Sequence, residues 1–274
     1  MPRRTIVVLA LIASCTALFA GPVAACARFG PVRVVGTVRS DRFHEISGIA
    51  SSRRGARLLW VTEDSGNGPF LSAISTEGRL RARMRVRRAE NRDWEDMARA
   101  GGRIWIGDIG DNATQRPYVT LYWVGEPRLR RSAVRARSAT MIYPNRVAHN
   151  AEAMIVDGRR DQLFIFSKDS ATSDVFRADL SHLRSGDHLR LRRVGRLPFS
   201  YVTAADLSGR GIIVKGYSTG YFFPWTHSRR VTHALRQRPC PAPVGGGESI
   251  AFGRSADGYY TIPEGMHARI SHAS

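Results

Sequence analysis

Asp93-Trp94-Glu95-Asp96-Met97-Ala98, followed closely by Ile104-Trp105-Ile106-Gly107-Asp108-Ile109-Gly110-Asp111-Asn112, is the stretch that decides the fold. A short strand that starts among acids runs through a Gly101-Gly102 turn into a second strand, which ends in a carboxylate-rich turn. Weaker copies of this plan recur on both sides. Upstream lie Glu45-Ile46-Ser47-Gly48-Ile49-Ala50 and Leu58-Leu59-Trp60-Val61-Thr62-Glu63-Asp64, with Phe70 to Ile74 and the alternating Leu80 to Val86 completing four strands. Downstream, Glu152 to Val156 and Leu163 to Lys168 open a third group, closed by Val175 to Arg177 and Leu189 to Val194. Ala204 to Leu207, Ile212 to Lys215, Tyr221 to Phe223 and Val231 to Leu235 form a fourth, and Glu248 to Phe252 with Tyr259 to Glu264 begins a fifth.

Four short strands repeating every roughly 45–55 residues, with almost no helical periodicity, are the mark of an all-β chain folded as a β-propeller. The fifth group lacks its outer strand, and a spare strand, Val32 to Val38, precedes the first. Pairing the spare strand with the last blade closes the ring and removes an open sheet edge. The expected count is five blades, with Pro127 to Asn145 as the stretch where a sixth would lie. The outer strand of the second blade is expected within Val134 to Tyr143.

Residues 1–25 read as a secretory signal peptide. Arg3 and Arg4 precede a nearly all-apolar run from Thr5 to Ala20, too short for a membrane anchor, that ends in Gly21-Pro22-Val23-Ala24-Ala25. The arginine pair also permits twin-arginine export. Residues 26–274 are then one propeller domain, expected to be secreted, monomeric and without a transmembrane span. Cys26 and Cys240 are the cysteines outside the leader, and two readings stand: a disulfide in an oxidising compartment, or a lipidated Cys26 behind a lipobox-like Val23-Ala24-Ala25.

The formal charge is +19, and Lys168 and Lys215 are the only lysines among 42 basic residues. The arginines are scattered and often alternate with apolar residues, as on the solvent face of strands, and no nucleic-acid-binding motif or basic helix accompanies them. A solvated rim is the expectation, with nucleic acid excluded as a partner.

In a propeller, the start of each inner strand and the end of each second strand open on the same channel mouth. The first set holds Glu45, Asp93, Glu95, Asn150, Glu152, Thr203, Asp206 and Glu248; the second holds Glu63, Asp64, Asp108, Lys168, Lys215 and Glu264. Converging carboxylates repel one another unless a cation lies among them, and hard oxygen donors suit Ca²⁺ best, with Mg²⁺ or Mn²⁺ as alternatives. The expected ligands are Glu45, Glu95, Asp108, Asp111, Asn150, Glu152 and Glu248. Lys168 and Lys215 occupy equivalent positions of neighbouring blades, suited either to binding an anionic group or to salt-bridging Glu152 or Glu248. His149 stands beside Asn150, where a general base could sit. The sequence has no Gly-x-Ser-x-Gly elbow, phosphate-binding glycine loop or His-Glu-x-x-His. Trp60, Trp94 and Trp105 are read as core between blades.

With Glu45-Ile46-Ser47-Gly48-Ile49-Ala50, Thr62-Glu63-Asp64-Ser65-Gly66, Asn91 to Ala98, Gly107 to Asn112, His149 to Ala153 and Gly247 to Ala251, the chain resembles a group of secreted bacterial, especially actinobacterial, β-propeller proteins. More distantly it resembles phytase-like and gluconolactonase-like propellers. That resemblance implies a divalent metal at the channel top and hydrolysis of an ester, lactone or phosphoester. A channel carboxylate or His149 would then be the base, and Lys168 or Lys215 would hold an anionic group. The alternative is a non-catalytic propeller that recognises a small molecule or an envelope glycan or protein through the same face.

Overall fold

The computed structural model describes Cys26 and residues 29–274; the signal-peptide reading falls outside them. Five sheets, each with a core of four antiparallel strands, form the blades. Blade 1 is Ile46–Ser51, Leu58–Glu63, Phe70–Ser75 and Leu80–Arg87, and blade 2 is Trp94–Ala100, Arg103–Asp108, Tyr118–Gly125 and Arg137–Ile142. Blade 3 is Ala151–Asp157, Gln162–Ser167, Ser173–Asp179 and Arg192–Leu197, and blade 4 is Ala204–Leu207, Gly211–Lys215, Gly220–Pro224 and Cys240–Ala242. Blade 5 is Ser249–Phe252, Tyr259–Ile262 and Arg269–Ala273, completed on its outer edge by the N-terminal strand Arg33–Thr37. Arg33 pairs with His272 and Thr37 with Arg269, so the first strand closes the ring.

The stretch from Pro127 to Asn145 holds no sixth blade. Its first strand, Ala133–Arg135, runs parallel to the outer strand of blade 1, and the chain then crosses to blade 2 as Arg137–Ile142. His188–Arg190 does the same, lying parallel to the outer strand of blade 2 before Arg192–Leu197 completes blade 3. A single buried residue marks each crossing, Ala136 and Leu191. The outer strand of blade 4 is also displaced from its expected place. Val231–Ala234 is one short α-helix, and Cys240–Ala242 takes the edge position, where Pro241 lacks a donor that an edge strand does not need.

Each inner strand is largely buried because it is sandwiched between neighbouring blades, and five apolar clusters fill the five gaps. Trp60 and Trp94 lie between blades 1 and 2, and Trp105 with Met154 and Phe176 lies between blades 2 and 3. Ala153, Phe164 and Val214 join blades 3 and 4; Ile213, Phe222 and Phe252 join blades 4 and 5; Ile49, Leu59 and Ile262 join blades 5 and 1. Trp60 and Trp94 are fully buried, as core residues should be.

Inner strands also expose unpaired backbone N–H groups to the channel, and buried donors need partners. Asp96, fully buried, supplies them across blades: Oδ2 accepts from Met154 N (2.9 Å) and Ala205 N (3.3 Å), and Oδ1 from Met97 N (2.8 Å). Asp206 repeats the device, its Oδ2 accepting from Phe252 N at 2.7 Å. Asp206 therefore joins blades 4 and 5 partway down the channel. Cys26 is disulfide-bonded to Cys240, with 5.6 Å between their Cα atoms, and ties the segment ahead of the closing strand to blade 4. Phe29 reinforces that seam by edge-on contacts with Phe222 and Tyr259. Among the described residues no helix is long and apolar enough to cross a membrane.

Candidate metal centre

Two carboxylates reach the channel mouth because the strands that carry them bulge. In blade 2 the register slips between Trp94 and Asp96, leaving Glu95 as the extra residue; in blade 3 it slips between Ala151 and Ala153, leaving Glu152. A bulge turns one side chain away from the normal alternation, and here it turns both acids inward. Glu248 arrives from blade 5 behind Gly247, whose φ of +93° and contact with Pro263 exclude a side chain.

One carboxylate oxygen from each of Glu95, Glu152 and Glu248 lies within 4.8 Å of the others, and Asp64, Asp93 and Glu95 form a second trio by the same measure. Glu95 belongs to both. Gly110 makes the second trio fit: a Cβ there would stand 2.2 Å from Glu95 Oε1 and 2.5 Å from Asp93 Oδ2. Glu95 and Glu152 are 4% and 3% exposed, so water does little to shield their repulsion.

The acids respond to that crowding. Burial, then the charges of Glu152 and Asp64, holds Glu95 well above the usual carboxylate range. Burial, opposed by a bond from Lys168 and assisted by the charge of Glu248, lifts Glu152 to about 7. Asp64 rises to about 6 through burial and its contact with Asp93, and Glu264, at the rim, to about 7 through burial and the charge of Glu248.

Lys168 is the cation within the cluster. Its ammonium pairs with Glu152 Oε1, stands 3.5 Å from Glu248 Oε1 and lies 5.1 Å from the Tyr217 ring centre. Burial disfavours its charge, but bonds to Glu152 and Tyr217 outweigh burial and keep it protonated. Lys215 is fully buried and donates to the Gly247 carbonyl, beneath Glu248. Burial, partly countered by Glu248, brings it down to about 8. Among the described residues five buried side-chain polar atoms lack a partner, Arg116 Nε, Tyr143 Oη, Ser173 Oγ, Thr203 Oγ1 and Glu152 Oε2, and Glu152 supplies the carboxylate among them, its Oε2 unbonded while Oε1 holds Lys168.

The remaining residues expected at the metal go elsewhere. Asp108 receives Arg116 Nη2 at 2.6 Å, Asp111 Oδ2 receives Arg116 N at 2.6 Å, and Arg116 Nη1 reaches Gly110 O at 2.6 Å. These bonds clamp the Asp111–Arg116 turn around one guanidinium. Asn150 stitches that turn to blade 3, accepting from Asp111 N (2.8 Å) and donating to Asn112 Oδ1 (3.0 Å). Glu45 sits outside the trios, bonded to Asn67 Nδ2 at 3.0 Å. His149 packs between Tyr143 and Phe176, with ring centres 5.0 and 4.7 Å away, and burial lowers its pKa. Conversely, Asp64 and Asp93, read from the sequence as channel-facing but not as ligands, complete the second trio. Tyr217 carried no sequence signal beyond its place in the loop that follows Lys215.

No family model and no curated protein matches the sequence. Solved structures do. The PQQ-bound aldose sugar dehydrogenase of Streptomyces coelicolor is 11% identical and superposes with a TM-score of 0.52, over 91% of this chain and 99% of that one. A gluconolactonase of Xanthomonas campestris is 10% identical with a TM-score of 0.49, over 92% and 98% of the two chains. At 11% identity the likeness to the dehydrogenase is one of fold alone.

Proposed function

We propose that the carboxylate mouth holds a divalent cation, with Ca²⁺ as the best fit and Mg²⁺ or Mn²⁺ as competitors. We further propose that the protein is a metal-dependent hydrolase of an ester, lactone or phosphoester. The observation that carries this reading is Glu152 Oε2, buried without a partner in an all-oxygen cluster whose charge one lysine does not balance. Buried polar atoms are rarely left so, and hard oxygen donors are what such cations take. Glu95, Glu152 and Glu248 would hold the ion, with Asp64 and Asp93 alongside. When bound it would polarise a carbonyl or phosphoryl oxygen and acidify a water.

The chain's own residues supply the rest. Lys168 fixes Glu152 and presents, with the Tyr217 hydroxyl, a positive and hydrogen-bonding wall to an anionic substrate group. Asp64, beside Asp93 at the edge of the cluster, is the carboxylate placed to take a proton from water. Lys215 positions Glu248 through the Gly247 carbonyl. His149, packed between Tyr143 and Phe176, is given no step in this scheme. The Cys26–Cys240 disulfide and the leader-like residues 1–25 support work outside the cytoplasm.

Purified protein, depleted with EDTA and restored with each cation, should hydrolyse at least one member of a panel of lactones, aryl esters and phosphomonoesters. Glu152→Gln should remove that activity. A panel with no cation-dependent rate sinks the hydrolase reading and leaves a binding propeller with a structural ion.

A further inference from the structure

The opposite end of the channel has the opposite charge. A cavity of about 430 Å³ opens there, bounded by the far ends of all five inner strands, at Ser51, Ala100, Val156, Leu207 and Phe252. Four arginines line it: Arg53, Arg99, Arg159 and Arg254. They are scattered in sequence, yet Arg53, Arg159 and Arg254 each follow a Ser or Gly just past an inner strand, so the blade repeat places them together.

Among the described residues none of the four forms an ion pair. Arg99 is half-buried, with Nε bonded to the Ser51 carbonyl at 2.6 Å, which anchors the guanidinium and leaves its two terminal amino groups as donors. The nearby acids are otherwise engaged. Asp157 receives Arg160 Nη1 at 3.2 Å and Arg159 N at 3.1 Å. Asp206 receives the Phe252 and Leu207 amides at 2.7 Å each, and Glu126 receives Ser52 Oγ, Arg53 N and Trp60 Nε1. Burial, opposed by Glu126 and Asp206 and aided by Arg53 and Arg254, depresses Arg99 from its ordinary value. Asp157 and Asp206 line the cavity as well, so four guanidiniums face two carboxylates that are already hydrogen-bonded, and the net positive excess attracts an anion.

We propose that this lower cavity is a binding site for a phosphoryl group, taken up by Arg99 with Arg53, Arg159 and Arg254. The planar guanidinium fork matches two phosphoryl oxygens at once, and the cavity has room for a phosphate ester or a diphosphate but not for a folded partner. The site stands at the other end of the channel from the carboxylates and does not depend on the hydrolase reading.

The test is calorimetric titration of the purified protein with pyrophosphate at low salt, in EDTA, so that no cation at the upper mouth can contribute. One site per chain is expected. Arg99→Gln should weaken it by about tenfold or more, the loss of one charge-assisted pair. Arg254→Gln, at an exposed position that leaves the fold intact, should weaken it several-fold, while Arg33→Gln on the outer edge of blade 5 should leave it unchanged. Vesicles containing phosphatidic acid distinguish the source: co-sedimentation lost in Arg254→Gln assigns the phosphoryl group to a lipid headgroup, and pyrophosphate binding without co-sedimentation assigns it to a soluble ligand. Absence of binding to both probes, or binding that Arg99→Gln and Arg254→Gln leave unaltered, overturns the proposal.

Discussion

Lys168 of blade 3 stands 3.5 Å from Glu248 of blade 5 while holding Glu152 of its own blade, so one ammonium spans the channel mouth between two carboxylates. It therefore does part of what a bound cation would do, and competes with it. Lys168→Met should destabilise the cation-free protein by about 1–3 kcal/mol, less than a fully enclosed pair because the lysine is partly solvated. The same variant should bind calcium several-fold more tightly than the parent. Thermal unfolding in EDTA and calcium titration together check both signs; weaker calcium binding would show that Lys168 supports the ion instead of opposing it.

The carboxyls at the mouth set a pH dependence. Glu152 and Glu264 titrate near 7 and Asp64 near 6 in the folded protein, all above their ordinary 4.5 and 3.8. The folded state thus keeps protons that the unfolded chain releases. Stability from these groups is fully present below about pH 4 and falls as pH rises through 6 and 7. Apart from other titrating groups, the cation-free protein should lose melting temperature from pH 5 to pH 8. Saturating calcium should restore more at pH 8 than at pH 5, because ligands must shed protons to bind. Equal calcium stabilisation at both pH values would place the ion away from these acids.

Gly110 gives a test that does not touch a ligand. Its absent Cβ leaves the space that Glu95 Oε1 and Asp93 Oδ2 occupy. Gly110→Ala should leave the blades folded, at a cost of about 1–3 kcal/mol for overpacking, yet reduce cation affinity about tenfold or more as the two carboxylates are pushed apart. Unchanged affinity would remove Asp93 and Glu95 from the site.

Below the mouth, Asp96 joins three blades through backbone amides, and its removal leaves the buried Met154 N and Ala205 N without that acceptor. Asp96→Ala should cost about 3 kcal/mol or more, read by chemical denaturation. A loss under about 1 kcal/mol would mean that water replaces the carboxylate.

The blade order was legible in the sequence because strand alternation and turns are local. The ring closure was too, because Val32 to Val38 had no other partner. The strand exchanges were not: Ala133–Arg135 and His188–Arg190 pair in parallel with residues far away, and nothing nearby signals a parallel edge. Val231–Leu235 looked like a strand because its apolar residues sit between arginines, while Pro239 and Pro241 disguised the true edge strand. At the site, Glu95, Glu152 and Glu248 were marked by their repeated position. Asp108, at the end of a second strand, and Asp111, in the turn after it, were marked too, but the Arg116 guanidinium takes Asp108 and the Arg116 amide takes Asp111, which is settled only by the folded turn.

A cation at the channel mouth would face the unpartnered Oε2 of Glu152. Calcium titration of EDTA-stripped protein, parent against Glu152→Gln, measures that directly. Stoichiometric binding by the parent and a loss of about tenfold or more in Glu152→Gln are expected, with the circular dichroism of the two alike. Undiminished calcium binding by Glu152→Gln, or a parent that binds none of calcium, magnesium and manganese, would contradict it.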